Sequence, residues 1–358
     1  MEFPQLGEQR VLCMRIFKKV LFSVFSLLCC LVVLSSIIIA PSRRLEAAYY
    51  NDNSLRKELS GSIDLIVLGA SHALAAFDPQ VIDHTLNCNS YNLSSSMMTS
   101  YSKYFLLKKE MSRNPVDTVV LEISFDSFAR NEAQEYGDGD SVTIERLDSF
   151  SERVAFMGKY VGIEDWMNIF SRELMQGMYC WKRVLSGSTS SSVDYSAKGF
   201  HSKDPMDITL TPDEAKANYA KRQISLAYHK EPIAITSEMI RFCKSKNARV
   251  ILCVTPLPDS LILKRNGWDD FYQWIKAFSD TNDCTLYDFN LLKSRYELFS
   301  DSTSFYDEGH MSGIGAAAFS QAFGEIMAKA ENGEDVSQFF YDSYSEMIQD
   351  SPYMRYIN

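Results

Sequence analysis

Ser71, Asp307 and His310 are the residues whose types and order suit a reaction. Ser71 closes the stretch IDLIVLGAS at 63–71, where an apolar run gives way to a turn through Gly69 and Ala70. A serine hydroxyl is a weak nucleophile until a base takes its proton, and the base works best when a third group holds it. Asp307 and His310 lie three residues apart in the polar turn YDEGHMSG at 306–313. They offer an acid and an imidazole in the chain order Ser…Asp…His of a hydrolase triad. At a strand-to-helix turn the serine N–H lacks an intrahelical partner and the positive end of the helix lies close by. That placement suits stabilisation of an acyl oxyanion. Gly-x-Ser alone is a common turn and a loop histidine is commonly a surface residue, so the joint layout carries the reading.

The elements around these residues must bring them together. Ile63–Leu68 is apolar except for Asp64, as in a strand buried on both faces. Ser90–Leu93, Val116–Ile123, Arg249–Val254 and Thr285–Phe289 read as further strands. Helical stretches separate them: one opened by Asp78 and Pro79 as cap and first residue, then Thr99–Ser112, Gly313–Ala328 and Ser337–Ile348. Alternating strands and helices predict a three-layer α/β/α domain on a parallel, flavodoxin-like sheet. Active sites of such sheets lie beyond the carboxyl ends of the strands, where Ser71 and Ser124 fall. Asp64 belongs at the opposite end. Glu122 reads either as a second carboxylate of the site or as a paired strand-end residue.

The first 44 residues stand apart from this domain. Val20–Ala40 is a 21-residue uncharged run, about 31 Å of helix and so about a bilayer core thick. Four basic residues precede it (Arg10, Arg15, Lys18, Lys19) and two follow (Arg43, Arg44). The bias predicts a single-pass cell-membrane protein with its C-terminal domain, 45–358, extracytoplasmic. A cleaved signal peptide is the rival, but its apolar region is usually shorter and Pro41 makes a poor cleavage exit. Within 45–358, the stretch 130–232 turns polar and aromatic and predicts a mainly helical insertion with a Ser-rich loop at 187–193. It either covers the active edge of the sheet or is a solvated excursion. Its aromatics (Tyr160, Trp166, Phe170, Tyr179, Trp181) suit sugar stacking, or core and partner contacts.

The net charge of −10 argues against nucleic-acid docking. Five widely spaced cysteines beyond the anchor, with no Cys-x-x-Cys, are neither a zinc framework nor a dense disulfide scaffold. No phosphate-cradling glycine loop or metal motif occurs, so no metal or other cofactor is expected.

In these motifs the chain resembles the SGNH (GDSL-type) hydrolases, and more narrowly their membrane-anchored branch of DltD-like and polysaccharide O-acyltransferase-associated proteins. The matching stretches are LGASH at 68–72 with Phe77-Asp78-Pro79, YNLS at 91–94, VVL at 119–121, VTP at 254–256, and DEGHMS at 307–312 with Gly315. Together they span roughly 60–128 and 235–328, about half the chain. The resemblance implies Ser71 as nucleophile, His310 as base and Asp307 as its partner. It implies a backbone oxyanion donor at Ser94 or Ser95, where the family often has glycine. The third block, where the family usually supplies an asparagine side chain, has Ser124 in EISF. The narrower branch also departs from that asparagine, yet one donor is missing, a loss that typically costs ~10²–10³ in rate. His72, beside the nucleophile, is a further pocket candidate.

The expectation is therefore an acyl-esterase or acyltransferase on acetyl or D-alanyl esters of surface glycopolymers. The resemblance adds a membrane-bound O-acyltransferase as partner. The alternative is a catalytically idle scaffold for that acyltransferase.

Overall fold

The computed structural model describes residues 5–39, 56, 59–129, 138–147, 149–186, 197–220 and 228–357. Five short strands form the sheet: β1 (Leu65–Leu68), β2 (Ser90–Asn92), β3 (Thr118–Glu122), β4 (Arg249–Val254) and β5 (Thr285–Asp288). They lie in the order β2-β1-β3-β4-β5 and every pair is parallel. β1 and β3 are buried at every residue, which explains their uninterrupted apolar character. The chain leaves β1 for β2 on one side and later enters β3 on the other. The strand order thus reverses between β1 and β3, and a crevice opens at their carboxyl ends.

Two helices follow β1: α1 (Ser71–Ala76) and α2 (Pro79–Leu86). Asp78 caps α2, its Oδ1 accepting the Gln80 N–H at 2.9 Å, with Pro79 first in the helix; such a cap contributes about 1 kcal/mol. α3 (Ser100–Met111) is capped in the same way by Thr99. α4 (Lys230–Ser245) precedes β4, and α5 (Trp268–Thr281) precedes β5. α6 (Gly313–Glu331) follows the Asp307–His310 turn.

The contact of α6 with α1 and α2 joins the two ends of the domain. Phe77, at the α1–α2 corner, meets Phe319 and Phe323 of α6 edge-on, with ring centroids 4.9 and 5.3 Å apart. Ser320 donates its hydroxyl to the Ala76 carbonyl at 3.1 Å and accepts the Asp78 N–H at 2.8 Å. Gly324 lets α6 lie on α2: a Cβ there would sit 2.6 Å from Thr85 Cγ2. The same apolar cluster takes in Leu65, Val67, Val120, Ile251 and Phe289 from the sheet. On the opposite sheet face, α3 and α4 pack together, with the Tyr104 and Phe242 rings 5.9 Å apart.

One expected helix is interrupted. Instead of a continuous Ser337–Ile348 there is a 3₁₀ turn (Val336–Phe339) and a separate helix Tyr344–Gln349. Between them the backbone pairs with the segment after β5: the Tyr341 N–H donates to Leu291 O at 2.7 Å and the Lys293 N–H to Phe339 O at 2.9 Å. Those bonds replace helical ones. Ser343 then caps the new helix through the Glu346 N–H.

Residues 5–39 and 163–186 belong to a second unit. The helix Gln5–Ile39 contains a 25-residue apolar stretch, Met14–Ile38, of mean hydropathy 2.7, long enough to be a membrane anchor or a signal sequence. Ser35 and Ser36 fit this run because their hydroxyls bond the carbonyls of Leu31 and Val32 one turn back, at 2.7 and 2.8 Å. Its C-terminal end packs on the helix Ile163–Leu185. Gly177 there faces the Ile38 carbonyl, and the Trp181 indole N–H donates to Ile37 O at 3.0 Å. The described parts of 130–232 also include helices Asp138–Glu145, Phe150–Tyr160 and Pro212–Ala220. The Ser-rich loop at 187–193 and the junction at 44–45 lie outside the described residues.

Candidate active site

The turn after β1 and the turn before α6 meet at the carboxyl edge of the sheet. Two backbone pairings close the second turn: a bridge between Phe305 and Met311, and the Tyr306 N–H donating to His310 O at 3.0 Å. Ser312 then starts α6, its Oγ accepting the Gly315 N–H at 3.2 Å and donating to Thr303 O at 2.7 Å. Within the loop, Asp307 Oδ1 accepts the N–H groups of Gly309 and His310, both at 2.8 Å. His310 Nδ1 lies 2.9 Å from both oxygens of the same carboxylate. A carboxylate only accepts, so Nδ1 carries the proton and Nε2 presents its lone pair. Nε2 faces Ser71 Oγ at 2.7 Å.

This arrangement can take a proton from the serine and stabilise the imidazolium that results. Burial alone would raise the Asp307 carboxyl. The Gly309 N–H and the His310 contacts outweigh that and hold it below its ordinary value. The His310 side chain is 24% exposed and Asp307 43%, so the pair is open to a substrate and partly screened by water.

His72 does not point away from the site. Its ring centroid is 4.9 Å from that of His310. Burial, then the neighbouring His310, pushes it down to about 4, while Asp126 and Asp307 pull the other way. It is therefore neutral at pH 7 and can give or take one hydrogen bond. Tyr306 stacks on the His310 ring, with centroids 5.4 Å apart and planes 13° from parallel. Sequence reasoning assigned Tyr306 no role, although its place beside Asp307 was the available signal.

The other sequence candidates sit deeper. Ser94 and Ser95 are fully buried, and neither hydroxyl has a partner. The Ser94 N–H is taken by Asn92 Oδ1 at 3.1 Å. Asn92 in turn donates to the carbonyls of Ala73 and Phe77, both at 2.9 Å, and so ties the end of β2 to α1. Ser124 is closed into its own turn: its N–H donates to Ser127 Oγ at 2.8 Å, and its hydroxyl meets Asp126 Oδ1 and Ser127 Oγ, both at 2.9 Å. Asp64 lies at the amino end of the sheet, its Oδ2 accepting the Asn89 N–H at 2.9 Å.

Part of the insertion borders this edge. Residues 198–211 run without helix or strand past the end of β2 and the Asp307 loop. Lys198 O accepts from Asn92, Leu74 O from His201, Lys203 O from Gly313 and Phe305 O from Met206, at 2.8–3.3 Å. Of the insert's aromatics, Tyr160 packs among Tyr101, Phe105 and Phe156, and Trp181 bonds the apolar N-terminal helix.

No family model matches the chain and no curated protein does. Among solved structures it is similar to a candidate acylhydrolase from Bacteroides fragilis, at 10% identity over 78% of this chain and 95% of that one, with a TM-score of 0.36. A GDSL-like lipase from Bacteroides thetaiotaomicron gives 10% identity over 79% and 98%, with a TM-score of 0.36. An acetyl xylan esterase from the rumen bacterium Butyrivibrio proteoclasticus gives 8% over 76% and 65%, with a TM-score of 0.30. Likenesses this distant carry no conclusion about activity, and the chemistry rests on the site itself.

Proposed function

We propose that the protein is an SGNH-type serine acyl-esterase or acyltransferase in which Ser71 is the nucleophile, His310 the base and Asp307 the residue that orients the base. The observation that carries this reading is the 2.7 Å approach of His310 Nε2 to Ser71 Oγ. Ser71 Oγ attacks the ester carbonyl while Nε2 takes its proton. The tetrahedral intermediate collapses, the C–O bond to the leaving alcohol breaks, and Nε2–H protonates that alcohol. Water or an acceptor hydroxyl then attacks the acyl-serine with His310 again as base, the bond from the acyl carbon to Ser71 Oγ breaks, and Nε2–H returns the proton to Oγ. Hydrolysis and transfer differ only in this second nucleophile.

The finer reading places the enzyme on the outer face of the cell membrane, held by the helix Gln5–Ile39 and working beside a membrane-bound O-acyltransferase on acyl esters of a surface glycopolymer. The length of the apolar stretch and the motif resemblance to the DltD-like branch support it.

A second reading, an idle scaffold for that acyltransferase, is favoured by one observation: the Ser124 hydroxyl and the Ser94 N–H are both engaged elsewhere, which leaves the oxyanion short of donors. A fluorophosphonate probe on the full-length protein separates the two. Labelling that disappears in Ser71→Ala and falls in His310→Ala is the expected result, and an unlabelled intact protein favours the scaffold.

A further inference from the structure

Glu122 ends β3 at the point where the strand order reverses. The β1–β3 ladder sets Leu68 opposite Leu121, so Gly69 comes opposite Glu122. The side chain is fully buried. Its Oε2 accepts the Ala70 N–H at 3.3 Å, and its Oε1 has no partner. Gly69 is the residue that permits this approach: a Cβ there would lie 2.7 Å from Glu122 Cβ, 2.8 Å from Oε2 and 2.3 Å from Ala73 Cβ. A buried carboxyl with an unused oxygen is costly and calls for an explanation. Here it lies directly beneath the turn that carries Ser71.

We propose that Glu122 is a positioning residue for Ser71: its carboxylate holds the Ala70 N–H from below, and it holds the serine-bearing turn most firmly when ionised. A charged acceptor makes a shorter and stronger hydrogen bond than a neutral carboxyl, and the held N–H is one residue before the nucleophile.

Burial pushes Glu122 up to about 7, Asp126 adds to the rise, and Lys103 and the Ala70 N–H oppose it. The titratable and charged groups around it come from four elements. Lys103 lies on α3 and Asp126 in the turn after β3. His72 is the second residue of α1, and Cys253 of β4 is the register partner of Glu122. Burial, and then the Glu122 charge, raises the Cys253 thiol well above its ordinary value, so it stays neutral. The hold on Ala70 therefore switches in the same range as an ordinary histidine.

The rate arm of the test rests on Ser71 being the nucleophile, whereas the amide arm does not. In the amide arm, the full chain in detergent is labelled with ¹⁵N-alanine, the Ala70 amide is assigned through Ala70→Gly, and its shift is followed from about pH 5 to 9. We expect a midpoint near 7 that vanishes in Glu122→Gln, which keeps the shape and an acceptor oxygen but cannot ionise. An Ala70 signal that does not titrate overturns the inference. So does one that titrates alike in Glu122→Gln, because a group other than Glu122 would then be the cause. In the rate arm, kcat/KM for an activated acetyl ester falls more steeply on the acid side in the wild type than in Glu122→Gln. A purely structural role leaves the two profiles parallel, which overturns the inference. A protein that turns over no ester overturns the proposed function and leaves the amide arm to decide.

Discussion

Two serines stand just past the carboxyl ends of neighbouring parallel strands and meet different fates. Ser71 follows β1, and its hydroxyl faces an imidazole delivered from 239 residues away in the chain. Ser124 follows β3, and its hydroxyl and N–H are used within three residues, by Asp126 and Ser127. Strand position is thus not what makes a nucleophile. Each turn has its own hydrogen-bond inventory, and the SFDS turn at 124–127 satisfies itself. The GAS turn at 69–71 has no side chain at Gly69 and a methyl at Ala70, so Ser71 must find its partner elsewhere. The packing of α6 on α1 and α2, through Phe77, Ser320 and Gly324, supplies that partner.

The sharpest way to break this contrast is to remove the proposed base–nucleophile pair. Ser71→Ala should abolish fluorophosphonate labelling, and His310→Ala should lower its rate by about 10³ or more. Persistent labelling in Ser71→Ala would assign the reacting hydroxyl to another residue and end the argument. Asp307→Asn should cost less, about 10²: the carboxylate is 43% exposed, and a screened charge contributes less than the fully buried acid of a typical triad. The Asp307 carboxyl is held below its ordinary value, so it stays ionised across the acid side of neutral and goes on orienting the base there.

The reach of the sequence follows the range of the interactions. The inner strands β1, β3 and β4 could be placed because a parallel strand buried on both faces is apolar almost without a break, and Arg249–Val254 was bounded to the residue. The start of α2 could be read because Asp78 and Pro79 act within their own turn. Ser71, Asp307 and His310 could be named from type and order, but their convergence could not: it depends on Gly324 facing Thr85 and Ser320 bridging Ala76 and Asp78, across more than 230 residues. The interruption of Ser337–Ile348 escaped for the same reason, because the competing acceptor is Leu291 O. His72 could be named as a pocket candidate only as the neighbour of Ser71; at a helix start two successive side chains can border one crevice, and its ring comes within 4.9 Å of that of His310. The lone oxygen of Glu122 was likewise invisible, because alternation gives the face of a residue and not its partners.

Glu122 also sharpens the comparison thermodynamically, since it is the buried charge between the two turns. Its folded value lies near 7, above the ordinary 4.5. Its stabilisation of the fold is therefore complete below the unfolded value and is lost as pH rises through the folded one. The Glu122→Gln protein should gain stability relative to the wild type between about pH 5 and 8, by about 1–3 kcal/mol. Paired thermal melts at several pH values check this. His72, whose depressed value acts in the opposite direction below pH 6.5, is common to both proteins and cancels. A constant offset would mean that Glu122 is not ionising in the fold.

The smallest expected effect tests the Ser124 turn itself. A hydroxyl has one proton to give, and the Asp126 carboxylate, which can only accept, lies 2.9 Å from Ser124 Oγ. With that proton committed to Asp126, Ser124 has none to offer an acyl oxyanion, and the Ser124 N–H is held by Ser127. Ser124→Ala should therefore change the labelling rate less than about threefold, whereas loss of a true oxyanion donor costs ~10²–10³. A drop of that larger size would mean that the turn opens when substrate arrives and that Ser124 replaces the missing asparagine. The two serines would then act on one intermediate, one as nucleophile and the other as donor, and the self-satisfied turn would describe only the empty site.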